Sequence, residues 1–191
     1  MAWIDVIEPD VATGNLARTY AAIQSARGGI AAVHRVQSQN PRALRAHLEL
    51  YKSIVFARSS LSRISRERIA VMVSAANGCA YCVAHHGEAA RQLGDSPSIV
   101  AALSEGQVPQ ELPQSEQTLL TWAKCAAKQP DQCSETDIQS LKTSGFDDAA
   151  ILDAAMTVAY FAFVNRLVLL LGVDLEEDFQ TTCGNSEDGP G

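Results

Sequence analysis

SRISRERIAVMVSAANGCAYCVAHHGEAARQLG, residues 62–94, is the stretch that decides how this chain folds. Ser62 is a helix N-cap residue, and the run behind it reads as one helix through Ala76. Asn77-Gly78 then interrupts the pattern, glycine supplying the left-handed residue that ends a helix. A second helix starts near Cys79 and runs to Gly94.

The same signals recur on either side. Asn15 to about Ala26 is helical and is closed by Gly28-Gly29. Asn40-Pro41 sets a cap and a proline at the first helical position, opening a helix through about Phe56. Arg58-Ser59-Ser60 is a loop, Ser96-Pro97 starts a short helix, and Pro109 and Pro113 bracket another loop. Helices follow over Ser115 to about Lys128, from the Ser134/Asp137 capping box to Gly145, and from Asp147 to Val173. No segment alternates like a strand and no repeat stands out. The expectation is an all-α, single-domain multi-helix bundle over residues 1–175, followed by an acidic, disordered tail over 176–191. The last helix is apolar around most of its circumference, as a central core helix or an oligomer interface would be.

Composition agrees with that class. The chain has 191 residues, 47% hydrophobic and only 6% aromatic, with alanine abundant. A length of this order suits one domain. The net charge of −7, without a Lys/Arg run, argues against nucleic-acid binding. The N-terminus carries acids early and is not a secretory signal. The most apolar stretch, Val158 to Val173, is broken by Asn165 and Arg166 and reads as too short for a membrane span. A soluble cytoplasmic protein is expected, in which five cysteines are better explained by chemistry than by a disulfide framework.

The chemistry concentrates in Cys79-Ala80-Tyr81-Cys82-Val83-Ala84-His85-His86. Cysteines three apart on a helix present their sulfurs from adjoining turns, close enough for a disulfide after modest adjustment. A position at a helix N-terminus favours thiolate. His86, four residues after Cys82, shares its face and can exchange a proton with it. If the two helices fold back, Glu67 comes within about 5 Å along the axis of His86, where it can take a thiol proton or orient the imidazole. Helix-dipole reasoning favours Cys79 as the more acidic sulfur, whereas the His86 partnership favours Cys82. Two other readings stand beside this one. Cys79, Cys82 and His86 with Glu67 or His85 could form a zinc site, and Glu67 among Arg63, Arg66 and Arg68 could be a surface ion-pair partner.

Glu67, the Cys79-Ala80-Tyr81-Cys82 motif and His86 together resemble the active-site pattern of the AhpD-like alkylhydroperoxidases, in the carboxymuconolactone decarboxylase superfamily. The flanks agree: Leu61-Ser62-Arg63, Asn77-Gly78-Cys79 and Val83-Ala84-His85-His86-Gly87. Leu44-Arg45-Ala46-His47-Leu48 and Tyr160 to Leu167 are similar to segments of the peroxidase-related group within it. The resemblance runs from about Ile4 to Leu175. It implies an all-helical homo-oligomer, from dimer to hexamer, that reduces a hydroperoxide with a thiolate and then closes a disulfide. Cys82 would be the peroxidatic thiolate, Cys79 the resolving thiol, and Glu67 with His86 the proton relay. No bound cofactor is implied. An external thiol reductant, in the best-known relatives a lipoylated protein, would reopen the disulfide. The relatives of established activity have a second histidine between the cysteines, where this chain has Tyr81. Tyrosine, with an ordinary pKa near ~10, carries protons poorly at neutral pH, which leaves the relay to Glu67 and His86, with Tyr81 and His85 in support.

The remaining candidates read as structural. Cys125 looks like a small core residue, Cys133 precedes a helix cap, and Cys183 lies in the tail. His34 and His47 read as surface or hydrogen-bonded core histidines, and Arg166 as a buried ion-pair partner of Asp153 or of another subunit. Ile69, Val73 and Val83 would suit an apolar channel or a helical core equally. The competing functions are a disulfide electron carrier with the same residues and a non-catalytic, redox-sensing or zinc-binding helical oligomer. Lactone decarboxylation, which does not use a CxxC, is disfavoured by the cysteines.

Overall fold

The computed structural model describes residues 2–182. Within them every regular element is helical. In chain order these are α1 Gly14–Arg27, α2 Ala32–Arg35, α3 Pro41–Tyr51, α4 Arg63–Ala76, α5 Ala80–Gln92, α6 Pro97–Ser104, α7 Gln114–Lys128, α8 Glu135–Thr143, α9 Asp148–Leu171 and α10 Phe179–Thr182. A π-helical turn, Lys52–Phe56, extends α3, and a 3-10 turn, Pro130–Gln132, links α7 to α8. The caps fall where the polar residues sit: Ser62 accepts from Ser65 N–H, Asn40 from Ala43 N–H, and Asp147 from Ala150 N–H.

α4 is the axis of the molecule. Ile69, Ala70, Val71, Met72 and Val73 are all fully buried, so the helix is enclosed on every side, by α5, α7 and α9. Ile69 and Val73 are therefore core residues; neither lines a channel. Gly78, at φ 72°, makes the turn that lays α5 back along α4. Gly87 lets α6 come close, because a Cβ there would meet Val100 Cγ1 at 3.2 Å. A smaller cluster of Leu16, Tyr20, Ile23 and Leu44 joins α1 to α3.

The three arginines around Glu67 separate into distinct jobs. Arg66 is buried and donates to the carbonyls of Ile54, Val55 and Leu61 at 2.9–3.1 Å, holding the end of the π turn against the start of α4. Arg68 pairs with Asp95 and Glu116. Arg63 stands over the Phe56 ring and bonds Glu67.

Two expectations need correction at the C-terminal end. α9 is 24 residues long, and by length and composition alone it could cross a membrane. In the fold it is a core helix: Ala154, Phe161 and Asn165 are fully buried against α4 and α7, while Leu152, Met156, Phe163 and Leu170 stay exposed. The boundary set at residue 175 cuts through ordered structure. Glu176 bonds to three residues on two other helices, Ala32 of α2 and Tyr81 and His85 of α5, and α10 packs on α5, because a single carboxylate with fixed partners outweighs the polar composition around it. Residues 183–191, with Cys183, lie outside the described residues.

Candidate functional site

The turn at Asn77-Gly78 puts Cys79 at the N-cap of α5 and Cys82 one turn inside it. The backbone N–H of Cys79 donates to Ser74 O at 2.9 Å, which fixes the approach of the two helices at this point. Both cysteines are free and buried. The Cys82 thiol donates to the Cys79 sulfur, and this bond draws the Cys79 pKa down to about 7; burial opposes it, while the N–H groups of Cys82 and Tyr81 and the Asn165 amide add to it. Cys82 is pushed the other way, by its bond to Cys79, by burial and by the Cys79 charge. The first proton the pair loses, as pH rises through about 7, is therefore that of Cys79, and the remaining one is held on Cys82.

Asn165, of the two polar interruptions in α9, is the one that reaches the cysteines. Its amide donates to Ser74 Oγ at 3.0 Å, its carbonyl accepts from the Asn77 amide at 3.0 Å, and it reaches both sulfurs. Arg166, expected to be a buried ion-pair partner of Asp153, is exposed and donates to Ala162 O within its own helix. Asp153 is bonded by Ser59. The Asn165→Ala variant should move the pH midpoint of thiol alkylation by iodoacetamide upward by about one unit, the worth of one charge-assisted hydrogen bond. An unchanged midpoint would remove Asn165 from the account of the thiolate.

Glu67 is fully buried on α4, which excludes the surface ion-pair reading. Its Oε2 accepts from His86 Nδ1 at 2.6 Å, and its Oε1 accepts from Arg63 Nε at 3.0 Å. Burial alone would raise its pKa, but His86 and Arg63 outweigh that and hold it near 2. The ionised carboxylate thus keeps a proton on Nδ1 and leaves Nε2 as the working nitrogen of His86. The edge of Phe161 against the imidazole, at 4.4 Å between centroids, fixes the ring.

His86 and Cys82 share a small cavity of about 40 Å³, lined also by His34, His47, Tyr81, His85 and Tyr160. A larger cleft of about 560 Å³ between α1 and α3 contains none of these residues. The chain has four histidines, and all four line the Cys82 cavity. His34 and His47 were thus missed as site residues. His47 Nε2 meets Tyr160 Oη at 2.6 Å, and burial lowers its pKa to about 4, so it is neutral at pH 7. The spacing of Leu44, His47 and Tyr51 on the buried face of α3 was the available signal.

Tyr81 and His85 form the other wall. Tyr81 Oη accepts from Val33 N–H and donates to Glu176, both at 3.2 Å, and burial foremost raises its pKa, with the nearby Glu176 charge adding to it. Glu176 also accepts from Ala32 N–H at 3.2 Å and lies 3.3 Å from His85 Nε2. Burial would raise its pKa, but the His85 bond prevails and lowers it. Phe179 meets the His85 ring at 5.5 Å. Tyr81 is therefore an anchoring residue that keeps its phenolic proton at neutral pH and takes no part in proton transfer. Among the described residues no group of three or more His, Cys, Asp or Glu side chains is placed to hold a metal ion, so the suggested zinc set is not brought together.

Residues 41–109, which carry Glu67, Cys79, Tyr81, Cys82, His85 and His86, match the carboxymuconolactone decarboxylase family. The complete fold is shared with two peroxidase-related proteins of known structure. One, from Ralstonia eutropha JMP134, is described as an alkylhydroperoxidase AhpD core; it is 24% identical, covers 95% of this chain and 96% of its own, and superposes with a TM-score of 0.86. The other, from Silicibacter sp. TM1040, is 25% identical over 96% of each chain, also with a TM-score of 0.86. The debrominase Bmp8 has the same fold at 20% identity, covering 93% of this chain and 94% of its own, with a TM-score of 0.76. No curated protein matches the chain in sequence. The fold and the matched segment define an AhpD-like helical protein. What the comparisons give this chain is the AhpD-like helical fold and, over residues 41–109, similarity to the carboxymuconolactone decarboxylase family.

Proposed function

We propose that this protein is a thiol-dependent, peroxidase-like oxidoreductase that cycles Cys79 and Cys82 between dithiol and disulfide. The observation that carries the reading is the thiol–thiol hydrogen bond beside a buried Glu67–His86 pair, with only Cys82 lining the cavity. Cys82 attacks the terminal oxygen of a hydroperoxide. Its proton passes to the Cys79 thiolate, the O–O bond breaks, and the departing alkoxide takes a proton that His86 Nε2 draws from solvent and hands on, with the Glu67 carboxylate stabilising the transient imidazolium. Cys79 then attacks the Cys82 sulfenic acid. The disulfide forms and hydroxide leaves with the Cys79 proton as water. A cavity of about 40 Å³ holds a hydroperoxyl head and about one water, with the alkyl group outside.

The same reading includes an external thiol reductant, of the lipoylated-protein kind, and a cytoplasmic homo-oligomer. The exposed apolar stripe of Leu152, Met156, Phe163 and Leu170 on α9 supports self-association. The test is stopped-flow loss of free thiols from the reduced protein on adding hydrogen peroxide or cumene hydroperoxide. Rapid loss of two thiols, recovered with dihydrolipoamide, is the expected result. A fully reduced protein that leaves both peroxides untouched would overturn the reading.

A further inference from the structure

The two cysteines that were read as incidental lie together. Cys125 is in the last turn of α7, partly exposed rather than a core residue, and Cys133 is the residue after the Pro130–Gln132 turn. The connection between them is tied at each step. Gln129 N–H donates to Cys125 O at 2.7 Å, Gln132 N–H to Gln129 O at 2.9 Å, and Cys133 N–H to Pro130 O at 3.3 Å. Beyond Cys133, the Ser134/Asp137 capping box fixes the start of α8. This compact reversal returns Cys133 to the side of α7 on which Cys125 projects, and the two thiols are in hydrogen-bonding contact. Neither lines the Cys82 cavity.

We propose that Cys125 and Cys133 are a second oxidisable pair, which closes to a disulfide across the α7–α8 turn independently of Cys79 and Cys82. With a small disulfide as oxidant, one thiolate attacks a sulfur of that disulfide, giving a mixed disulfide and releasing one thiolate. The second cysteine, losing its proton, displaces the other thiolate. Two electrons pass to the oxidant, two protons leave the cysteines, and one S–S bond replaces another. Both sulfurs are partly accessible and already adjacent, so the second step needs rotation about side-chain bonds and no movement of a helix. Burial and the neighbouring Cys125, Asp137 and Asp131 keep the Cys133 proton on, so this pair closes more slowly than one containing the Cys79 thiolate. Closure would convert a hydrogen-bonded turn into a covalent clasp between α7, which packs on α4, and α8, which packs on α9.

The experiment is oxidation of the reduced, full-length protein with glutathione disulfide, then N-ethylmaleimide trapping, tryptic digestion and mass spectrometry. Trypsin separates the cysteines cleanly: Cys79 and Cys82 share peptide 69–91, Cys125 is in 125–128, Cys133 in 129–142 and Cys183 in 167–191. The expected result is that 125–128 and 129–142 leave as one cross-linked species, two hydrogens lighter than their sum and split by reduction. In the Cys125→Ser variant that species should vanish and Cys133 should carry a glutathione adduct. Recovery of 125–128 and 129–142 as separate peptides, each carrying N-ethylmaleimide or glutathione, would overturn the proposal. So would linkage of either one to 167–191.

Discussion

Cys82→Ser should abolish peroxide consumption, lowering the rate of peroxide-driven thiol loss by a factor of roughly 10³ or more, because a serine hydroxyl at this position is no nucleophile. The cavity contains the Cys82 side chain and not that of Cys79, so no second sulfur stands ready to replace it. Cys79→Ser should behave differently. It removes the acceptor of the Cys82 proton and the resolving thiol, but leaves the attacking sulfur in the cavity. One slow turnover per chain should then end with a sulfenic acid on Cys82, trapped by dimedone and read as a mass adduct on peptide 69–91. If Cys82→Ser kept full turnover and Cys79→Ser lost it, the two roles would be exchanged.

Glu67→Gln should be nearly as damaging to the fold. The carboxylate is wholly buried between Arg63 and His86, and removing its charge leaves two donors facing a neutral amide. Breaking such a buried arrangement from one side costs about 3–5 kcal/mol, measured as a fall in ΔG of urea unfolding. The wild-type protein should show the same interaction through acid. The pKa of Glu67 is near 2 in the fold, against an ordinary value of 4.5, so its carboxyl is more acidic folded than unfolded. Its stabilisation is therefore complete above about pH 4.5, fades as pH falls toward 2, and amounts to something on the order of 3 kcal/mol. Glu67→Gln should flatten the stability profile across that window. A variant as acid-sensitive as the wild type would mean that other carboxylates carry the loss.

The parts of this molecule that were legible in its sequence are those set by neighbours in the chain. Ser62, Asn40, Asp147 and Gly78 mark helix ends because capping and left-handed turns act over three or four residues. The Glu67–His86 contact was within reach for the same reason: one tight turn joins their helices. The misread residues depend on partners distant in sequence. Asn165 and Arg166 are adjacent polar interruptions of one apolar helix, and helical spacing separates them. Asn165 shares a face with Val158 and Phe161, both buried, whereas Arg166 lies with Phe163 and Leu170, both exposed. Glu176 sits among acids and reads as tail until α2, Tyr81 and His85 are seen to converge on it. Cys125 and Cys133 are brought together by the geometry of a 3-10 turn that no local pattern announced.

The gathering of every histidine around Cys82 has a spectroscopic consequence. In most proteins of this size the imidazole resonances are scattered reporters. Here the histidine region of an NMR spectrum is a spectrum of the site alone, observable in the unaltered protein without selective labelling. Oxidation of the dithiol, entry of a peroxide and proton movement along Glu67–His86 would each register there, and the buried His47, titrating near 4, would stand as the internal reference that does not move at neutral pH.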